Sequence, residues 1–227
     1  MKLLVLDTST ERGIVACLED NRILFSVKLP FGLQNSQHLL PEIERGFKEI
    51  GLRTAQLDGI VVGIGPGSYT GIRVGAIVAK TIAFACQLPI VGICTLETFL
   101  PPSDGVFATV IDARIGGVYL QINKLESGKV LTLQPRVVCS LAEAALLLQE
   151  CPLLVTPNTQ SLRPKLEAVA SDAHWQWEER YPSAQHMAAL GVKKLKEQEG
   201  IDSHLDLLYM RKTQAELEKS QSKTTTD

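Results

Sequence analysis

The chain contains no C-x-x-C pair, and its five cysteines (Cys17, Cys86, Cys94, Cys139, Cys151) are scattered and odd in number. That pattern excludes a zinc ribbon or a disulfide framework and predicts buried thiols in a reducing compartment. There are only four histidines, no two at a metal-binding spacing. His38 and Glu42 stand four apart on a predicted helix, but two ligands do not make a metal site, and a solvated or capping pair is the plainer reading. No Gly-Lys-Ser/Thr closes a Walker P-loop, and there is no G-x-S-x-G nucleophile elbow. Excess positive charge is also missing: 23 basic against 25 acidic residues leave a net charge of −2. This argues against a broad nucleic-acid surface and leaves room only for a local basic patch. The longest apolar stretch, Gly71 to Ile93, is interrupted by Arg73, Lys80 and Pro89, so it predicts a buried helix running into a strand rather than a membrane span. The opening MKLLVLD is too short for a signal peptide and reaches an aspartate at once; a cytoplasmic location is expected.

At 227 residues, 45 % of them hydrophobic and 21 % charged, the composition is that of an ordinary globular protein of one large domain or two small lobes. The most informative segment is LDGIVVGIGPGSYTGIRVGAIVAKTIAF, from Leu57 to Phe84. The β-branched run Ile60–Ile64 predicts a buried strand. It meets the turn Gly65-Pro66-Gly67-Ser68, where glycine permits a sharp bend and close approach to a neighbour. Ser68 or Thr70 is placed to cap the following helix. Strand, glycine turn and helix N-terminus together can present N–H groups to an anion. The spacing of Gly63, Gly65 and Ser68 does not match G-x-G-x-x-G, so phosphate binding and a plain glycine turn both stand.

Periodicity predicts strands at 2–6, 13–18, 22–28, 60–64 and 90–93, with helices at about 38–50 and 70–86. In the first helix the positions Leu39, Ile43, Phe47 and Ile50 share helical spacing, and Pro41 is tolerated near the first turn. A second half opens near Val106, where FATVIDARIGGVYLQI echoes LLVLDTSTERGIVACL, with Asp7 and Asp112 in matching places. Ser140 and Glu143 form a capping box. Further on, CPLLVT reads as a strand, 162–170 as a helix, HWQWE as an edge strand, and Pro182-Ser183 opens a last helix. The prediction is an α/β protein of two lobes, residues 1–105 and 106–217, with a polar, disordered tail at 218–227.

The helix at 70–86 is apolar on too many sides. Gly71, Gly75, Ala79 and Ala83 form a ridge of small residues, Ile72, Val74, Ile77, Val78, Ile82 and Phe84 occupy other faces, and Arg73 and Lys80 are its only charges. A helix covering one side of a sheet needs a polar outer face. This one is covered either by the helix before it or by another chain. The candidate interface residues are Leu39, Ile43, Phe47, Arg73, Val74, Ile77 and Lys80.

The segments MKLLVLDTST, GIGPGSYTGIRVGAIVAKTIAFACQLPIVGICTLETF and VIDARIGGVY resemble the bacterial TsaB (YeaZ) family, over residues 1 to about 120. The resemblance implies the actin-like ATPase (ribonuclease-H-like) fold with two related lobes. It turns Asp7, Thr8, Ser9, Gly65, Gly67, Ser68 and Asp112 toward a nucleotide cleft, and it implies ATP or ADP with magnesium as ligands at the interface with a partner. It implies a scaffold and activator that packs its two helices against TsaD, or against a second copy of itself. With TsaE it would serve threonylcarbamoyl transfer to adenosine in tRNA, reaching tRNA only through the complex and no membrane. The catalytic paralogue TsaD carries His-x-x-x-His after this helix and strand, where the present chain has Thr95 and Phe99. Phenylalanine cannot ligate a metal, so the implied catalytic and metal residues of this chain are none. After Asp112-Ala113-Arg114 the family's Arg-Gly-Glu-Val-Tyr is replaced by Ile115-Gly116-Gly117-Val118-Tyr119. The closing HLDLLYMRKTQAE keeps Tyr209, Met210, Arg211 and Ala215 of the family's Tyr-x-Arg segment. The residues alone also permit a self-sufficient actin-like small-molecule kinase and, less well, a peptidase.

Overall fold

The computed structural model describes residues 1–32, 35–114, 117–197 and 205–210. His204, Arg211, Ala215, the Ile115–Gly116 pair and the tail from 218 lie outside the described residues.

Ten strands form two five-stranded sheets. In the first lie β1 (Lys2–Asp7), β2 (Ile14–Glu19), β3 (Arg22–Lys28), β4 (Gly59–Gly63) and β5 (Ile90–Ile93), in the order β3-β2-β1-β4-β5. In the second lie β6 (Gly105–Asp112), β7 (Gly117–Glu126), β8 (Lys129–Ser140), β9 (Leu153–Thr156) and β10 (Gln176–Glu179), in the order β8-β7-β6-β9-β10. The two orders are the same once the numbers are offset by five. β1 runs antiparallel to β2 and parallel to β4, and β6 stands in the same relation to β7 and β9. Helices α1 (Asn35–Ile50) and α2 (Tyr69–Cys86) flank β4 in the chain, as α3 (Leu141–Leu147) and α4 (Thr159–Glu167) flank β9. The duplication read from the Asp7 and Asp112 segments is therefore a duplication of whole lobes.

The strand sequences follow from burial on both faces. Leu4, Leu6, Ile60 and Val62 point to the α1–α2 side, while Leu3, Val5 and Val61 point to α5 (Ala184–Glu197). With both sides covered, a continuous apolar run replaces polar alternation. Gly191 lets α5 sit directly on β4: a Cβ there would lie 2.3 Å from a Val61 methyl. Helix α5 thus belongs to the first sheet, whereas the sequence assigned 106–217 to one C-terminal lobe. The chain returns because Met187 and Ala188 complete the core around Leu3, Val5 and Val61.

Helix α2 lays its ridge of small residues on the sheet. Gly75, Ala79 and Ala83 are buried, and a Cβ on Gly75 would lie 3.4 Å from Leu6 and 2.6 Å from the Thr8 hydroxyl. Small side chains here bring the helix axis close to β1. Among the described residues α2 is the one helix long and apolar enough, by length and composition, to cross a membrane. It packs on β4 instead, but only 28 % of it is buried, so it is less enclosed than the expected buried helix. All five cysteines are free. Burial pushes the thiols of Cys17, Cys94 and Cys151 up to about 11, which keeps them protonated and inert at neutral pH.

Candidate functional site

The β1–β2 turn and the glycine turn after β4 meet between the lobes. Asp7 is buried; its Oδ1 accepts the Ser9 N–H at 2.8 Å and its Oδ2 the Thr95 hydroxyl at 3.0 Å. Burial raises its pKa, and the Ser9 and Thr95 contacts pull the other way. The same Thr95 hydroxyl accepts the Gly65 N–H at 3.1 Å. Ser68 N–H donates to the Ser9 carbonyl at 2.6 Å, and the Thr8 hydroxyl donates to the Gly71 carbonyl at 2.7 Å. Ser68 caps α2, its Oγ accepting the Gly71 N–H. Of the two proposed caps, Ser68 rather than Thr70 takes the role.

These contacts decide what the glycines are for. A Cβ on Gly67 would lie 2.1 Å from the Ser9 carbonyl oxygen, and one on Gly63 would lie 2.1 Å from the Asp7 carboxyl. The neighbour that requires glycine is the protein's own β1–β2 turn. The N–H groups of Gly65, Ser68 and Gly71, which an anion would use, donate within the chain.

Asp112, the counterpart of Asp7 on β6, accepts the Arg114 N–H, the Ser161 hydroxyl at 2.7 Å and the Lys165 ammonium at 2.6 Å. Burial pushes its carboxyl up, but Lys165, Ser161 and the Arg114 N–H outweigh it and hold the pKa below the ordinary value. A depressed carboxylate pKa stabilises the fold above the unfolded value, and this stability is lost as pH falls through the folded one. Lys165→Met is therefore expected to cost about 1 kcal/mol at pH 7, discounted because Lys165 is well exposed. The difference should close at a second, acidic pH below the folded pKa of Asp112, where the carboxyl is protonated in both states. Urea midpoints at the two pH values check this; an equal loss at both would assign Lys165 a packing role.

The lobes are tied across the cleft. Arg114 pairs with Glu11, and Arg12 pairs with Glu179 and donates to the Pro157 carbonyl at 2.7 Å. What remains between Glu11, Gly67, Ser68, Asp112, Arg114 and Tyr119 is a cavity of about 40 Å³. Small-molecule pockets hold roughly 300–1,000 Å³. Asp7, Ser9, Gly65 and Ser68 are linked through Thr95 and the β1–β2 turn, Gly67 lies against Ser9, Thr8 bonds Gly71, and Asp112 stands across the cavity with Arg114, Ser161 and Lys165 as its partners. A cavity of this size does not hold a nucleotide between the lobes of the chain by itself.

Thr95 and Phe99 are both buried. Thr95 ties Asp7 to the glycine turn, and Phe99 packs with Cys94, Leu96 and Phe107. Among the described residues no cluster of three His, Cys, Asp or Glu side chains could hold a metal.

The second candidate is the outer face of α2. Arg73, Ile77, Lys80 and Phe84 form one exposed stripe, Ile77 being 64 % and Phe84 77 % exposed. Val74 is half-buried against the core. On α1 the expected interface residues Leu39, Ile43 and Phe47 are 0 %, 5 % and 6 % exposed and pack into the protein's own core, with Ile43 and Phe47 also lining the floor of a groove beside α1. Their helical spacing was right, and the sheet is what they face. Leu40, 54 % exposed, takes their place outside, beside a groove it shares with Glu44, Leu52, Ala55 and Ile82. Phe84, named among the apolar residues of the helix, stood outside the candidate interface residues, as did Leu40 and Tyr69; the seven-residue step from Ile77 to Phe84 was the available signal.

The family model for TsaD, tRNA N6-adenosine threonylcarbamoyltransferase, matches residues 33–199. The tRNA threonylcarbamoyladenosine biosynthesis protein TsaB of Bacillus subtilis is 29 % identical, over 73 % of this chain and 75 % of its own length. TsaB of Escherichia coli is 32 % identical over 52 % of this chain, and TsaB of Haemophilus influenzae 37 % over 52 %. Those two matches span about half of either relative's length, 53 % and 52 %. Among solved structures, YeaZ from Pseudomonas aeruginosa superposes with a TM-score of 0.72 at 24 % identity, covering 89 % of this chain and 95 % of that one. A Pseudomonas aeruginosa protein described as similar to peptidase YEAZ gives 0.73, also at 24 %, covering 92 % and 99 %. At that identity the likeness shows the shared two-lobed α/β fold.

Proposed function

The chain belongs to the TsaD family, on its TsaB (YeaZ) branch, and from that premise we propose that it is a non-catalytic subunit of tRNA threonylcarbamoyladenosine biosynthesis. It binds a TsaD-type transferase through the outer face of α2, and the partner holds the metal and carries out the transfer. TsaE joins the same assembly, and tRNA is reached through the complex.

The observation that carries this reading is the stripe of Ile77 and Phe84, which leaves two large apolar side chains, 64 % and 77 % exposed, seven residues apart on one helix face. Two others support it. The positions that would ligate a metal are occupied by a hydroxyl tied to Asp7 and by a core phenylalanine. The inter-lobe cleft, at about 40 Å³, has no room for a substrate of nucleotide size. A solitary kinase would need that cleft open.

Reconstitution tests the proposal. A TsaD-type enzyme supplied with threonylcarbamoyl-adenylate and tRNA should modify the tRNA only when this chain is added. Modification of equal rate without it, or ATP turnover by the pure chain at ordinary enzymatic rates, would refute the subunit role.

A further inference from the structure

One end of the α2 stripe is built differently from the rest, and its meaning rests on the partner reading above. Arg73 lies one helical turn before Ile77. Its Nε donates to the Tyr209 hydroxyl at 3.0 Å, across 136 residues of sequence. Its guanidinium carbon sits 3.9 Å from the centroid of the Tyr69 ring. The rings of Tyr69 and Tyr209 are 5.2 Å apart, and both tyrosines remain about 40 % exposed. Tyr209 is itself anchored, because the neighbouring Leu208 N–H donates to the Ile64 carbonyl at 2.9 Å. A surface arginine is normally a mobile side chain; this one is held on two sides before any partner arrives. Among the described residues no carboxylate pairs with its guanidinium, whose contacts are to the two tyrosines. The free end of a guanidinium is a planar fork that matches a carboxylate, a match an ammonium cannot make.

We propose that Arg73, held by Tyr69 and Tyr209, is a preformed carboxylate receptor, and that the α2 face selects a partner helix bearing an aspartate or glutamate. The apolar part of that face sets the spacing. Ile77 and Phe84 are roughly 10 Å apart along the helix, and Arg73 is roughly 6 Å beyond Ile77. The matching helix carries two apolar side chains seven residues apart and an acid about one turn past one of them. A second copy of α2 is a poor match. The segment 69–86 has no aspartate or glutamate, and Arg73 and Lys80 are its only charges, so α2 packed on α2 supplies no acid for the fork. A phosphate would also suit the fork, but Ile77 and Phe84 on the same stripe and a net charge of −2 favour protein over nucleic acid.

The test is a calorimetric titration of the full-length chain with the TsaD-family protein of the same organism. Arg73→Glu is expected to weaken binding at least about 10-fold and Arg73→Lys by a smaller factor, because the bidentate fork is lost. Tyr209→Phe keeps the ring, frees Nε and should weaken binding about 3-fold. The wild-type affinity should fall with added salt, and that dependence should flatten in Arg73→Glu. If Arg73→Glu and Arg73→Lys bind like the wild type while Ile77→Glu does not, the face is right and the receptor is wrong. If neither Arg73→Glu nor Ile77→Glu changes binding, the partner reading itself fails. Loss in Arg73→Glu of tRNA binding by the chain alone, or of a homodimer seen by sedimentation, would assign the fork to phosphate or to a second copy and overturn the proposal.

Discussion

Gly67→Ala is expected to destabilise the protein by at least about 3 kcal/mol, a large share of the roughly 5–15 kcal/mol that holds an ordinary domain folded. The added Cβ would lie 2.1 Å from the Ser9 carbonyl oxygen and 2.9 Å from its carbon. Both are backbone atoms, so no rotamer change relieves the overlap. Neither turn can yield. Ser9 is fixed by its own N–H bond to Asp7 and by the Ser68 N–H bond to its carbonyl, and Ser68 is fixed as the cap of α2. Separating them breaks a cap worth about 1 kcal/mol and strands buried polar groups at about 1–3 kcal/mol each. Gly128→Ala, at a turn with φ +77° and no atom within 4 Å of the added Cβ, is the control. It should cost only about 1 kcal/mol of conformational strain. Urea unfolding of the two variants separates the readings of the glycine turn. A Gly67→Ala protein as stable as Gly128→Ala would mean that the turn stands free of Ser9 and is available to a ligand, which is the anion-cradle expectation.

That outcome bears on what a sequence can convey. The β1 and β4 runs, β5, the Ser68 cap and the Ser140–Glu143 capping box were legible because each depends on residues close together in the chain. The echo between the Asp7 and Asp112 segments was legible for the same reason, and it extended to two sheets of one order. The glycine turn was found, but its neighbour was not. The atoms that fill it belong to Thr8 and Ser9, about sixty residues away, and nothing local distinguishes a carbonyl from a phosphate there. Helical spacing grouped Leu39, Ile43 and Phe47 correctly yet could not say whether a sheet or another chain covers them. Strand β8 went unread because it is a solvated edge: Leu131 and Leu133 are 50 % and 55 % exposed, and Pro135 interrupts the pattern. An edge strand buries little on its outer side, so its apolar signal is weak. The ties Arg12–Glu179 and Arg114–Glu11 join residues more than a hundred positions apart, and no periodicity points to them.

Ile77→Glu is expected to weaken binding to a TsaD-type partner by at least about 100-fold, about 2.7 kcal/mol, and to leave the free protein as stable as the wild type within about 0.5 kcal/mol. The two halves of that expectation come from one number. Ile77 is 64 % exposed, so a glutamate there stays hydrated in the free chain. Docking an apolar helix on it would strip that hydration from a carboxylate without a counter-charge, which costs several kcal/mol. Neighbouring positions sharpen the test. Ala76, next in sequence and 3 % exposed, faces the sheet, so Ala76→Glu should unfold the protein instead of sparing it. Val74 is half-buried in the core, so a glutamate there would mix the two effects and is the poorer probe. Phe84→Ala removes apolar area without adding charge and should cost about 10-fold in binding, because truncation of a buried aromatic anchor typically exceeds 1 kcal/mol. Thermal melts and titrations of the four variants give two independent columns of data. If binding falls only where melting falls, the stripe acts through folding, and α2 is covered by something other than a partner; if Ile77→Glu and Phe84→Ala lose affinity at unchanged melting temperature, the exposed side chains are what the partner touches.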